Sequence, residues 1–323
     1  PQHKEIIYMT ELNPPGNTPA LAVAQGLPVS ARFMTLGLVM VMSLLLLAGC
    51  AAAKKSTNLV LTPVTDTPTG IHHQGKFVWN DLLTDNVETA REFYGQLFGW
   101  TFTQLGRYTV VQSEGRNIGG MVELKADPEK PSAARWLCTL SVDDVDAAVA
   151  LVKSEGGTVN EGPLELLNRG RGALVRDPQG AQLLLLHAKE GDPDDEEPAM
   201  MSWLWHELWS NNSEASLAFY QKLAGYDYEG DATDYLVLVN EDQWRAGIRF
   251  IDDSELEMRW VPVVRVVDTE AIAEKAEQLG GEIRVAPRPT ASGGSVALLV
   301  DPSGARVIIQ SWTAPETEQE DGS

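Results

Sequence analysis

The sequence predicts an α+β protein made of two tandem copies of one domain, each copy a pair of βαβββ modules. Three observations carry this. A pattern is written twice: Trp79-x-Asp81-Leu82, Asn86, Phe93-Tyr94 and Gly99-Trp100 return 126 residues later as Trp205-x-Glu207-Leu208, Asn212, Phe219-Tyr220 and Gly225-Tyr226. Farther on, Asp144 and Asp177-Pro178-Gln179-Gly180 return as Asp268 and Asp301-Pro302-Ser303-Gly304, now 124 residues later, so one connection is shorter in the second copy. A period of this length is a duplicated domain, too long for one solenoid unit. Within each copy, the order of strand, helix and strands then restarts once.

Phe77 to Leu83 alternates and is rich in aromatic and branched residues, which suits a strand. Asn86 caps a helix whose apolar face is Val87, Ala90, Phe93 and Leu97, and Gly99 ends it. Short strands follow near 100–104, 108–112 and 118–124. The second module opens with a strand at 136–142. Asp143 or Asp144 caps a helix with Val145, Ala148, Val149 and Val152 inward, stopped by Gly156-Gly157. Three strands complete it near 158–160, 173–176 and 182–187, the last two joined by the Asp-Pro-Gln-Gly turn. The second copy reads the same way: strand 202–209, helix 212–224, strands 235–239 and 244–251, then strand 260–267, helix 268–279, and strands 296–300 and 306–312.

The order βαβββ twice over, with Phe-Tyr in the first helix, Gly-Trp or Gly-Tyr after it, Val-Asp-Asp before the second helix and Asp-Pro-x-Gly before the last strand, resembles the vicinal-oxygen-chelate superfamily. This is the glyoxalase, bleomycin-resistance and extradiol-dioxygenase group, and the resemblance covers residues 75–188 and 202–312. It implies paired modules curled around a concave pocket that holds a metal and a small substrate. It also implies where ligands to the metal would stand. The positions seven before the helix caps are Trp79 and Trp205 on the first strands, and Leu137 and Val261 on the second-module strands. On the last strands they are Leu184 and Ile308, seven after the Asp of Asp-Pro-x-Gly. Glu123 is a weak further candidate, and Phe250 stands in its place in the second copy. Alkyl and indole groups cannot coordinate a divalent cation. The family metal is therefore expected to be absent and no cofactor is expected. A divalent metal enters only if the chain is a metal-dependent lyase or dioxygenase of the glyoxalase type.

Strand alternation puts Trp79 and Asp81 on the pocket side in the first copy, and Trp205, Glu207 and Trp209 in the second. Arg265 falls on the corresponding face of the second-module strand and is the expected partner of the buried carboxylate. Two readings of this face stand side by side: an aromatic-walled pocket with an acidic anchor for a small apolar or cationic molecule, and a filled core in which tryptophan replaces the metal. The second copy is the better candidate, because it holds six of the nine tryptophans. His206 has the opposite parity and reads as a structural histidine. His187 has the same outward parity, and His72-His73 read as a solvated turn.

Residues 1–49 read as a leader with a lipoprotein signal peptide. The apolar run Leu36–Leu46 is of signal-peptide length and leads into Leu47-Ala48-Gly49-Cys50, which resembles a lipobox; an uncleaved anchor is the other reading. Residues 50–72 read as a tether, 73–191 as the first domain, 192–200 as an acidic linker, 201–313 as the second domain, and 314–323 as an acidic tail. With Cys50 acylated, Cys138 has no disulfide partner, so the core must hold the fold. The net charge is −21, and it is uneven: residues 73–191 carry 12 basic and 16 acidic side chains, residues 192–323 carry 9 and 27. Such a surface repels phosphate backbones, which argues against nucleic-acid binding. The expectation is a lipid-anchored cell-envelope protein that binds a small organic molecule, facing the periplasm from the outer membrane if the host is Gram-negative. A structural or assembly module of the envelope is the third reading. Two or more acyl chains at about 0.8 kcal/mol per buried methylene would anchor it stably. Cys50→Ser is expected to release the protein to the soluble fraction or leave its precursor uncut. A variant that stays membrane-bound and fully processed would refute lipidation.

Overall fold

The computed structural model describes residues 61–125, 134–252, 257–290 and 293–312. Cys50, the signal-peptide run, residues 50–60 of the tether and the 314–323 tail lie outside the described residues. Among those described, no helix is long and apolar enough to cross a membrane.

The first copy runs β1 (Phe77–Thr84), α1 (Val87–Phe98), β2 (Thr101–Leu105), β3 (Tyr108–Ser113), β4 (Arg116–Glu123), β5 (Arg135–Ser141), α2 (Val145–Ser154), β6 (Thr158–Leu166), β7 (Gly170–Arg176) and β8 (Gln182–Ala188). The second runs β9 (Trp203–Ser210), α3 (Ser213–Ala224), β10 (Asp227–Asp231), β11 (Tyr235–Asn240), β12 (Gln243–Phe250), β13 (Arg259–Arg265), α4 (Thr269–Gln278), β14 (Glu282–Pro289), β15 (Ser295–Val300) and β16 (Arg306–Ser311). Each copy forms one eight-stranded sheet, ordered β2-β3-β4-β1-β5-β8-β7-β6 and β10-β11-β12-β9-β13-β16-β15-β14. The two modules of a copy join where their first strands pair antiparallel, β1 with β5 and β9 with β13. Thus the predicted βαβββ–βαβββ architecture is present twice.

The caps act as the sequence implies. Asn86 and Asn212 accept from the backbone N–H of Thr89 and Ala215, and Gly99 and Gly225 end those helices in the left-handed region. Asp144 and Asp268 cap α2 and α4 in the same way. Two edge strands, β10 and β14, had no counterpart in the sequence reading of the second copy. Asp227–Asp231 is polar apart from Tyr228 and Gly230, and β14 contains Pro287 and Pro289, so neither shows the apolar alternation that marks a strand. Edge position tolerates both, because one side of the backbone needs no partner.

The two copies do not keep separate cores. One apolar cluster joins Leu140, Val149 and Leu183 of the first copy to Leu217, Phe219 and Leu236 of the second. The other joins Phe93, Leu97 and Met121 to Val264, Ile272 and Leu299. The helix-bearing faces of the two sheets are therefore buried against each other, with α2 beside α3 and α1 beside α4. At the centre of this contact the His206 ring stacks on Phe77 and its Nε2 lies 3.0 Å from Asn80 Oδ1.

The stretch 61–72, assigned to the tether, is part of the first domain's packing. Leu61 packs with Tyr108 and Val110, Val64 packs with Trp79 and Leu186, and both residues are buried. The acidic linker is also pinned: Asp195 reaches Lys76 and Arg245, Glu196 reaches Arg116, and Glu197 reaches Arg265.

Burial holds the His206 imidazole down to about 3, so it is neutral in the folded protein at neutral pH. A histidine with a depressed folded pKa contributes stability above its unfolded value near 6.5, and that contribution is lost as pH falls from there toward 3, at up to about 1.4 kcal/mol per unit. His206→Gln, which keeps a donor for Asn80, is expected to flatten this part of the stability–pH curve. An unchanged acid limb in urea denaturation between pH 6.5 and 4 would show that His206 is not the group responsible.

Candidate functional site

The candidate site is the sheet face opposite the helices, and in both copies its centre is a tryptophan–carboxylate pair tied to tyrosine and arginine. In the first copy Tyr108 donates to Asp81 Oδ1 at 2.5 Å. Trp79 Nε1 lies 3.1 Å from the same oxygen and 3.0 Å from the Tyr108 oxygen. Arg169 donates to Asp81 Oδ2 at 3.1 Å and to the Tyr108 oxygen at 2.9 Å, and its guanidinium lies 4.6 Å from the Trp79 ring centre. In the second copy Glu207 accepts from Trp209 Nε1 at 2.8 Å and from Arg249 at 2.9 and 3.1 Å, while Trp205 Nε1 donates to the Tyr235 hydroxyl at 2.8 Å.

Burial, then the neighbouring carboxylate, pushes both the Tyr108 and Tyr235 phenols well above their usual range, so each stays a neutral donor. Glycine makes room for them: a Cβ on Gly120 or Gly247 would fall 1.9 Å from the respective tyrosine oxygen. The strand register sets those glycines beside Asp81 and Glu207.

This corrects part of the sequence reading. Trp79, Asp81, Trp205, Glu207 and Trp209 do share the expected face. Arg265, however, is not the partner of Glu207; Arg249 on β12 is. Arg265 donates to Glu197 and to the Pro198 carbonyl, and its guanidinium lies 5.2 Å from the Trp312 ring centre. Neither carboxylate is a free acidic anchor, because each is matched by a buried arginine. Glu123 is exposed at the end of β4 and meets none of these groups. Sequence reasoning missed Tyr108, Tyr235, Arg169 and Arg249. The tyrosines and their glycines both recur 127 residues apart, a signal that was available. The arginines come from different places in the two copies, Arg169 from the turn before β7 and Arg249 from β12, so no repeat could show them.

The family metal does not fit this face. The expected donor positions hold Trp79, Leu137 and Leu184 in one copy and Trp205, Val261 and Ile308 in the other; Val261 and Ile308 belong to an apolar cluster with Trp209. Among the described residues no three His, Cys, Asp or Glu side chains come together as a ligand set.

The two faces differ in what lies over them. In the first copy Trp79 is 2% exposed, Val64 packs on it beside Leu186, and Arg169 Nε donates to the Thr62 carbonyl at 2.9 Å. That face is filled by the protein's own chain. In the second copy Trp205 is only partly buried. The position matching Leu186 is Gln310, which is 1% exposed and, among the described residues, has no hydrogen-bond partner for either amide atom. Gln310 follows Ile308 on the outer face, opposite Arg265 in the β13–β16 register, and among the described residues neither its amide atoms nor Arg265 Nε finds a partner. An unsatisfied buried amide costs about 1–3 kcal/mol, so this arrangement is unfavourable unless something supplies the missing bonds. Trp79→Ala is expected to cost about 3–5 kcal/mol of stability and Trp205→Ala distinctly less, since only the first ring is enclosed. Equal losses in chemical denaturation would remove the distinction between the copies.

Comparison with known proteins agrees with this geometry. Residues 70–185 match the model of the Glyoxalase/Bleomycin resistance protein/Dioxygenase superfamily. CFP32 of Mycobacterium tuberculosis, named as a candidate glyoxylase, is 28% identical over 244 residues, covering 72% of this chain and 94% of that one. The anthracycline biosynthesis protein DnrV of Streptomyces peucetius is 28% identical over 256 residues, covering 72% and 91%. In fold, the chain is similar to the Mn(II)-bound glyoxalase of Novosphingobium aromaticivorans (18% identity, TM-score 0.53, 75% and 83% covered). It is also similar to homoprotocatechuate 2,3-dioxygenase of B. fuscum (13% identity, TM-score 0.55, 82% and 77% covered). The family model over the first domain, the relatives that span both domains and the tandem βαβββ sheets together support the vicinal-oxygen-chelate superfamily for this chain.

Proposed function

We propose that this protein binds a small organic molecule on the outer face of its second domain, without a metal. The single observation that carries this is Gln310. Its buried amide offers one unused acceptor and one unused donor on a face that also presents the Trp205 ring and Arg265. The first domain, where no ligand is proposed, has Leu186 at that position and Val64 packed against it.

A planar, largely apolar molecule bearing oxygen matches these groups. Its ring stacks on the indole, and a carbonyl or hydroxyl meets the amide and the guanidinium. The relatives DnrV and DauV are named for anthracycline biosynthesis, which concerns molecules of that general kind. Because Glu207 is matched by Arg249, its carboxylate gives this face no preference for a cationic ligand. The side chains at the family's donor positions cannot hold the ion. Delivery to the cell envelope by a lipidated Cys50 remains part of this proposal and rests on the lipobox-like sequence alone.

Gln310→Leu copies the residue of the first domain. It is expected to raise stability by about 1–3 kcal/mol by removing the unsatisfied amide, and to abolish quenching of tryptophan fluorescence by hydroxylated anthraquinones. Quenching that survives the substitution, or a parent protein that shows none, would overturn the reading. Elemental analysis of protein purified without chelator is expected to find far less than one metal per domain. A stoichiometric ion lost together with an activity would favour the lyase or dioxygenase alternative.

A further inference from the structure

Residues 61–66 lie on the outer face of the first domain as a bound peptide would, although they belong to the same chain. Leu61 is buried with Tyr108 and Val110, and Val64 is buried with Val78, Trp79 and Leu186. Between these two anchors the Thr62 carbonyl accepts from Arg169 Nε at 2.9 Å. Pro63 biases Thr62 to an extended backbone and brings no N–H that would need a partner. Among the described residues, none of 61–66 makes a backbone–backbone hydrogen bond, and none belongs to a strand. The far end is held by Asp66, which accepts from Asn117 N at 3.2 Å and from Asn117 Nδ2 at 2.5 Å. The segment can therefore leave without breaking a ladder of the sheet.

What it would leave behind is a finished surface. Trp79, Asp81, Tyr108 and Arg169 bond to one another, and none of those bonds passes through the segment. The second copy carries the same kind of face with its tryptophan less covered, since Trp205 is only partly buried. The fit of the segment is also incomplete. The hydroxyls of Thr62 and of Thr139, which stands opposite Trp79 in the β1–β5 register, are buried and find no partner among the described residues. A buried hydroxyl without a partner is unfavourable, so the segment is an adequate occupant rather than an optimal one.

We propose that the outer face of the first domain is a binding site for an extended apolar peptide, with residues 61–66 as its tethered occupant. The peptide it takes has branched apolar side chains at two positions matching Leu61 and Val64, with a carbonyl acceptor and a proline between them. The two anchors fill the Tyr108 and Trp79 sides of the face, and Arg169 meets the carbonyl with a charged donor. A short tether gives its occupant an effective concentration in about the millimolar range, so a free peptide competes well only when the tethered segment is weakened. The site lies in the first domain, where no small organic ligand is proposed, and it does not depend on a ligand in the second.

The test is a fluorescence anisotropy titration of the full chain against the peptide Leu-Thr-Pro-Val-Thr-Asp, with a fluorophore at its N-terminus and an amidated C-terminus. Val64→Ser in the chain weakens the tethered segment alone, so it is expected to tighten peptide binding about tenfold. Asp66→Ala, at an exposed position outside the apolar contacts, is expected to tighten binding too. It serves if Val64→Ser fails to fold. The Val64→Ser change made in the peptide instead is expected to weaken its binding to either variant by about tenfold. Absence of saturable binding to the folded variants overturns the proposal. So does an affinity equal in the parent and both variants, which would put the peptide elsewhere, or one indifferent to the change made in the peptide.

Discussion

Two aspartates, each serving both domains at once, are the constraint on which the rest of the structure depends. Asp177 Oδ1 accepts the Gln179 and Ala181 N–H groups and so shapes its own turn, while Oδ2 accepts the Tyr220 hydroxyl of the other domain at 3.0 Å. Asp301 repeats this with Ser303, Ala305 and Tyr94. Each tyrosine oxygen in turn accepts an indole N–H, from Trp260 or Trp136. Burial raises both carboxyls, opposed by these donors, so the aspartates tolerate the interior only while the opposite domain is in place.

That arrangement fixes which surfaces remain for function. The helix-bearing faces are consumed by the shared cores, so neither copy could expose its helices without losing half of each apolar cluster. The same logic explains His206. It sits at the middle of the interface against Phe77 and Asn80, where a neutral imidazole can be satisfied and a charged one cannot.

The outer faces show duplication followed by divergence under one physical rule, that a buried carboxylate needs a cation. Asp81 finds Arg169, from the turn before β7, and Glu207 finds Arg249, from β12. The partners differ, the charge balance is the same, and in both cases tyrosine and tryptophan complete the bonds. What differs is closure. The first face is sealed by Leu61 and Val64 with Arg169 held to Thr62, whereas the second retains a buried amide that the fold itself does not satisfy. Such local departures from full satisfaction concentrate where a protein meets a ligand.

The sequence by itself determined the architecture, two tandem copies of paired βαβββ modules. Apolar period, cap residues and turn motifs are local properties, and each was repeated, so Asn86 and Asn212, Gly99 and Gly225, and the two Asp-Pro-x-Gly turns marked the elements twice. It also shows Trp79, Leu137, Val261 and Ile308, none of which can coordinate a divalent cation, at positions where the resemblance implies donors. Only the tertiary structure decided which arginine pairs with which carboxylate, since Arg169 lies 88 residues from Asp81 and no periodicity spans that distance. It alone decided that the recurring tyrosine and aspartate bond across domains rather than within one, and that the stretch 61–66 seals a face instead of trailing as a tether. It likewise decided that Gln310 is buried without a partner. These are outcomes of chain packing in three dimensions, where a residue's role is set by what arrives beside it from elsewhere in the chain.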